Sequence, residues 1–236
     1  MIHRYAEVDS TQRVARELAL AGAPHGEAVL AAVQTAGRGR LGRVWVSEPG
    51  ENLLMSVVLR PAGSARDAPL LSLGAAAGLA VTFGLLVKWP NDLVTRDGRK
   101  VGGLLAEMDA REDRIGHVIL GLGLNVNQGS FPEGVVAASL AQLGEEGLDV
   151  EDWRRGDRLD VDLVAEAARR AILAWSDHPD RLDQWRRRAH TLGRRVRVAG
   201  REGIATGITA EGALLVDGEP VTTGEVAMVE ALPSSA

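Results

Sequence analysis

Apolar residues recur along this chain in two periods, and the switches between them mark the elements. Tyr5–Val8 predicts a short strand. Val14, Leu18 and Ala21, spaced three to four apart, predict a helix behind the N-cap candidates Asp9, Ser10 and Thr11, ended by Gly22 and Pro24. Ala28–Val33 and Asn52–Leu59 are apolar runs of strand length, the second stopped by Pro61. Leu70–Val87 runs for 18 residues without a charge. A membrane span needs about 20 apolar residues. Gly74, Gly78 and Gly84, with Ser72 and Thr82, point instead to a buried helix over Leu70–Val81, a turn at Gly84 and a short buried strand, Leu85–Lys88. Val101–Glu107 and Ile115–Asn127 predict a hairpin across the charged turn Asp109–Arg114. Ser130–Gly134 reads as a loop, and Leu159–Trp175 and Asp180–Ala189 as amphipathic helices.

The texture changes near residue 190. Short alternating stretches follow (Arg195–Ala199, Ile204–Ile208, Ala213–Val216, Glu225–Val229), separated by glycine turns. That rhythm predicts a small barrel. About 45 residues bury too little surface to be stable alone, so the module should pack on the larger unit. The expected organisation is α+β: a mixed-sheet domain over 1–190 and a small β-barrel over 191–236.

Composition narrows the chemistry. The 236 residues carry a net charge of −5, which argues against a surface that coats nucleic acid but leaves room for a local basic site. The absence of cysteine excludes disulfides, zinc ribbons and thiol nucleophiles. The N-terminus lacks the apolar core of a secretory signal, so a cytoplasmic protein is expected, with no membrane partner. Five Trp outnumber two Phe and one Tyr, so each Trp needs a reason. Trp45 and Trp89 fall in motifs, whereas Trp153, Trp175 and Trp185 read as packing residues.

Four segments carry candidate chemistry. Gly37-Arg38-Gly39-Arg40-Leu41-Gly42-Arg43 combines a backbone able to approach a ligand with three planar cations, and no acid lies between Glu27 and Glu48. It matches the dinucleotide fingerprint G-x-G-x-x-G by letter, but Val44–Gly50 after it is no helix, so that reading fails on context. A basic loop without a ligand is the other reading. Lys88-Trp89-Pro90-Asn91-Asp92 delivers a cation, a ring, a rigid turn and two short polar side chains, against the reading of an ordinary Pro-Asn-Asp turn. Arg99-Lys100-Val101-Gly102-Gly103 sets a cation beside strand glycines, which permit close approach of a ligand; a solvated lysine is the plainer reading. In Gly121-Leu122-Gly123-Leu124-Asn125, residues 121, 123 and 125 share one face, a bare floor for a flat ligand.

Together with Asp9-Ser10-Thr11 and Gln34-Thr35-Ala36, and in this order and spacing, these segments resemble the biotin–protein ligase family over nearly the whole chain. The resemblance implies a biotin/lipoate ligase-type catalytic domain and a C-terminal SH3-like barrel. It implies a two-step reaction: biotin and ATP form biotinyl-AMP, and a lysine of a biotin carboxyl carrier domain, of an acyl-CoA or pyruvate carboxylase, then takes the biotin. Mg2+ accompanies ATP, with ligands the sequence does not assign. Carried over by residue, the biotin contacts are Ser10, Thr11, Gln12, Gln34, Arg38, Gly39, Arg40, Lys100, Gly102, Gly121 and Gly123. ATP or adenylate contacts are Gly37, Arg38, Arg40, Arg43, Trp45, Asn91, Lys100 and Asn125. Arg40, Lys100 and Asp92 carry the chemistry, Asp92 by orienting the acceptor amine or a metal-bound water. Gln12 stands where the family more usually has Asn, which changes the reach of that amide.

No helix-turn-helix precedes the catalytic segment, so a ligase without DNA as partner is expected, acting as a monomer or weak homodimer. Lipoate–protein ligase is the nearest alternative, and the Arg-Gly loop favours biotin. A non-catalytic partner- or nucleic-acid-binding module is the alternative of another class. It draws on seven Arg from Arg186 to Arg201, a run also suited to docking an acidic carrier domain.

Overall fold

The computed structural model describes residues 1–111 and 114–229. Fourteen strands and five α-helices are present among them. In chain order the first part is β1 (Ile2–Val8), α1 (Thr11–Leu20), β2 (Ala28–Gln34), β3 (Leu53–Leu59), α2 (Ala68–Thr82), β4 (Leu86–Lys88), β5 (Asp92–Val94), β6 (Lys100–Arg111) and β7 (Arg114–Leu124). Then come α3 (Leu140–Glu145), the two-residue strands β8 (Arg154–Arg155) and β9 (Arg158–Leu159), α4 (Val161–Trp175) and α5 (Arg181–Arg188). The last strands are β10 (Arg195–Val198), β11 (Arg201–Ile208), β12 (Leu214–Val216), β13 (Glu219–Val221) and β14 (Ala227–Met228).

Seven strands form one mixed sheet in the order β1-β2-β3-β7-β6-β5-β4. Only β1 and β2 pair in parallel, and α1 supplies the crossover that a parallel pair requires. The α1 side chains Val14, Ala15 and Ala19 pack on Val29, Val58 and Ile119 from three neighbouring strands. The opposite sheet face is covered by α2 and α4. Gly78 lets α4 come close to α2: a Cβ there would lie 2.7 Å from the Trp175 ring. The Leu70–Val81 stretch is thus the interior of α2, and among the described residues no helix is long and apolar enough to cross a membrane.

The expected hairpin forms, with β6 and β7 antiparallel from Gly102↔Leu124 onward. The strands extend into the expected charged turn, to Arg111 and from Arg114; residues 112 and 113 lie outside the described residues. Four short features lacked a periodic signal. One is the six-residue α3, fixed by a capping box between Ser139 and Gln142. Another is β5, which begins inside the expected turn at Asp92. The others are the β8–β9 pair and β13, an edge strand that tolerates Pro220.

The C-terminal strands form an antiparallel sheet in the order β13-β12-β11-β10-β14. No strand pairing closes it into a barrel among the described residues, and residues 230–236 of the expected 191–236 unit lie outside them. This sheet is tied to the large sheet at the β4 strand. His190 N donates to Val87 O at 2.8 Å, Trp89 N donates to Thr191 Oγ1 at 2.9 Å, and Trp89 Nε1 donates to Gly212 O at 3.1 Å. Trp89 is therefore a buried bolt between the two parts, and its peptide bond to Pro90 is cis.

Candidate active site

Strand alternation decides what faces the cavity. On the α1 side of the sheet, Ile119 of β7 is followed two and four residues on by Gly121 and Gly123, and they pair with Leu105 and Gly103 of β6. The body of α1 covers Ile119, and over the glycine end only Gln12 of its first turn reaches the sheet, so a cavity of about 190 Å³ opens there beside the helix N-terminus. Its wall includes Ser10, Thr11, Gln12, Gln34, Arg38, Gly39, Arg40, Arg43, Trp45, Asn91, Asp92, Lys100, Gly121 and Gly123, which brings most of the predicted site residues together.

The Arg-Gly loop is folded rather than loose. Gly39 N donates to Arg43 O at 2.7 Å, Trp45 N donates to Gly37 O at 3.1 Å, and Arg38 bridges Val44. The turn is made by Leu41 (φ 55°) and Gly42 (φ 75°), both left-handed. Each arginine reaches a different element. Arg40 Nη1 donates to Asn91 Oδ1 at 3.0 Å, Arg38 pairs with Glu107 of β6 at 3.1 Å, and Arg43 pairs with Glu225 just before β14. Glu225 and Val226 bring the C-terminal part to the cavity wall. Nothing in the sequence pattern pointed to Glu225, because the chain reaches it only through tertiary docking.

The β4–β5 hairpin pairs Lys88 with Asp92, and both line the cavity. Lys100 Nζ donates to Asp92 Oδ1 at 2.6 Å and stands 5.8 Å from the centre of the Trp45 ring, within cation–π reach. That ring lies on bare backbone: a Cβ on Gly123 would approach it to 2.5 Å. Gly121 gives the Gln12 amide the same room, its Cβ position lying 3.0 Å from Gln12 Nε2.

Hydrogen bonding at the inner end is incomplete. Gln34 Oε1 accepts from Thr11 N at 2.8 Å and from Thr11 Oγ1 at 3.0 Å, and Thr11 Oγ1 shares a 2.9 Å bond with Ser56. Gln12 Nε2 donates to Leu105 O at 2.8 Å, but buried Gln12 Oε1 and Trp45 Nε1 find no partner among the described residues. An unmet buried polar atom costs about 1–3 kcal/mol, so a ligand offering both a donor and an acceptor would be stabilised there.

Three expectations need correction. Gly102 points away from the cavity, its Cβ position meeting Gly123 O at 2.7 Å; by strand alternation it is Gly103 that faces inward. Asn125 lies past the end of β7, where alternation stops, and its buried amide donates to Ala138 O at 3.1 Å. It ties the segment after β7 to the Lys100 strand rather than lining the cavity. Gly37 lies outside this cavity, in the groove on the outer side of the loop. Its lack of a side chain admits the Trp45 carbonyl, 2.7 Å from its Cβ position. Asn91 is also committed, since its Nδ2 donates to Leu104 O at 2.7 Å while Oδ1 takes Arg40.

Residues 5–125 match the model of the biotin/lipoate A/B protein ligase family, and residues 191–229 match the biotin protein ligase C-terminal domain. A biotin–[acetyl-CoA-carboxylase] ligase of Paracoccus denitrificans is 36% identical over 235 residues, covering 90% of this chain and 92% of that protein. The bifunctional ligase/repressor BirA of Bacillus spizizenii is 39% identical, over 89% of this chain and 67% of its own length. Among solved structures, the Aquifex aeolicus biotin protein ligase in complex with biotin and ATP superposes with a TM-score of 0.72 at 27% identity, covering 98% of this chain and 99% of that one.

Proposed function

We propose a course of catalysis for this chain, which belongs to the biotin/lipoate A/B protein ligase family and is a biotin protein ligase. One observation carries the assignment: a single cavity joins two unmet buried polar atoms, Gln12 Oε1 and Trp45 Nε1, to a ring of cations formed by Arg38, Arg40, Arg43, Lys88 and Lys100. The ureido ring of biotin offers both donor and acceptor, which suits the inner end beside Ser10, Thr11, Gln12 and Gln34. The cations suit the carboxylate and the triphosphate, two anions that must be brought into contact.

In the first step a biotin carboxylate oxygen attacks the α-phosphorus of ATP. The bond to the bridging oxygen of pyrophosphate breaks, and biotinyl-AMP remains. Lys100, held by Asp92, and Arg40, held by Asn91, stabilise the charge spreading over the α-phosphate, and such preset electrostatics is the main lever in phosphoryl transfer. Arg43 meets the pyrophosphate end. Trp45 covers the intermediate and, with Arg38, Gly39 and the rest of the loop, excludes water. In the second step a carrier lysine attacks the acyl carbon and AMP leaves. Asp92 orients that amine once Lys100 turns to the phosphate.

Mg2+ fits as an ion brought by ATP. No group of three or more His, Asp or Glu is arranged to hold a metal among the described residues, which suits an ion held chiefly by phosphate oxygens and water. When bound it neutralises phosphate charge, and Asp92 is the residue to hold one of its waters.

The finer parts of the reading follow. The catalytic unit spans 1–190, and the strands from 191 onward belong to an SH3-like unit, a reading supported by their short antiparallel pairing and the bulge between Ala205 and Gly207. The partner is a carrier domain docking on the basic edge. There Arg187, Arg188 and Arg194 have no carboxylate partner among the described residues, whereas Arg195 and Arg197 are taken by Glu202. The acidic net balance supports a ligase without DNA binding, and the ATP requirement a cytoplasmic setting.

Exchange of labelled pyrophosphate into ATP tests the substrate. Exchange that depends on biotin and not on lipoate is expected; exchange with lipoate alone would overturn the choice.

A further inference from the structure

The face of β6 that floors the cavity continues past it. Gly103, Leu105 and Glu107 project on one side of the sheet, the first two into the cavity and Glu107 onto the boundary between α1 and the Arg-Gly loop. There Glu107 pairs with two arginines at once. Arg16 reaches it from α1, and Arg38 Nη2 lies 3.1 Å from its Oε1 from the loop. Arg38 borders both the cavity and the groove on the outer side of the loop, whereas Glu107 borders only the groove. A guanidinium has five N–H donors in a fixed plane. Arg38 meets Glu107 through Nη2 alone, as an ion pair, and its Nε and Nη1 donors form no hydrogen bond among the described residues and remain for a ligand.

We propose that Glu107 is a positioning residue for the loop: it holds Arg38 from behind at the cavity mouth, and Arg16 in turn holds Glu107. The Glu107 side chain is 24% exposed and that of Arg38 47%, so the anchor is the better fixed of the two. Arg16 fixes it to α1, whose own N-terminus lines the cavity, and the loop is thereby registered to the same helix that presents Thr11 and Gln12. Arg38 then meets the intermediate without first losing its own side-chain freedom, which is the advantage of a preset contact.

The inference rests on the cavity being the biotinyl-AMP site. The test compares wild type, Glu107→Gln, Arg38→Ala and the double variant, each loaded with biotin and ATP, freed of excess and followed for release of biotinyl-AMP. An exposed pair of this kind predicts release about two- to five-fold faster in Glu107→Gln. Arg38→Ala should release at least as fast, and the double variant no faster than Arg38→Ala, because Glu107 acts only through Arg38. Arg16→Gln should give a smaller increase, and it provides the reading if Glu107→Gln does not fold. Release at the wild-type rate in Glu107→Gln, or a full additional factor on top of Arg38→Ala, would overturn the proposal. Failure of the wild-type chain to form biotinyl-AMP at all is a separate outcome that overturns the reading of the site as well.

Discussion

Lys100 Nζ and Asp92 Oδ1 lie 2.6 Å apart across the β5–β6 connection, so the cation proposed for the phosphate and the carboxylate proposed for the amine hold each other. When two anions enter, Lys100 has competing partners, and Asp92 is released for the second step. Lys100→Ala should therefore depress formation of biotinyl-AMP by about 10²–10³-fold, the usual cost of one preset electrostatic group. Asp92→Asn should spare that step more than the transfer to the carrier. Single-turnover assays of the two half-reactions check both; a normal rate of adenylation in Lys100→Ala would remove Lys100 from its role.

Arg40→Gly should let biotinyl-AMP escape. The guanidinium, braced by Asn91, is lost from the cavity wall, and a hydrogen bond to a charged group accounts for about ten- to a hundred-fold in off-rate. Rapid separation of protein from small molecules after one turnover measures it. Retention at the wild-type level would contradict the clasp.

Gly123→Val should exclude Trp45 from its place on the sheet. Its Cβ would fall 2.5 Å from the indole, and that floor is strand backbone, which cannot give way cheaply. Overpacking of this kind costs about 1–3 kcal/mol. Calorimetry with and without biotin plus ATP should show a modest loss of apo stability and a larger loss of ligand-induced stabilisation.

His190 gives the chain a pH dependence. The ring is 3% exposed, and burial first, then the charge of Arg194, push its pKa below the ordinary 6.5, with Lys88 adding to them. The Arg96 backbone and Asp97 act the other way. Above pH 7 the ring is neutral folded and unfolded, and no stability depends on it. As pH falls through 6.5 the unfolded chain takes up the proton first, so stability drops from there down to the depressed folded value, by up to about 1.4 kcal/mol per pH unit. Denaturant midpoints between pH 7.5 and 5 should fall in wild type and fall less in His190→Gln. His117, also pushed down by burial, leaves a residual slope in that variant.

Apolar patterning located the long elements: α1 and α4 bury one face, and α2 and β3 are continuous apolar runs buried along nearly their whole length. It missed α3 and β13, which are short and held by a capping box and by edge pairing. The bare floor at Gly121 and Gly123 was legible because alternation is local. The choice between Gly102 and Gly103 was not, since it depends on which side of the sheet α1 covers. Asn125 shares a face with Gly121 and Gly123 only in a strand that runs past Leu124, and β7 ends there. Glu107 and Glu225 left no trace in the pattern; each matters because a distant arginine of the loop finds it.

The account rests on one cavity that makes and keeps an activated acid. The most direct measurement is to incubate the full chain with biotin, ATP and Mg2+, remove free ligands, and identify what remains bound by mass spectrometry. The account predicts one biotinyl-AMP per chain, discharged to AMP when a biotin carboxyl carrier domain is added. Bound biotin and intact ATP without the mixed anhydride, or an adenylate formed only from lipoate, would contradict it.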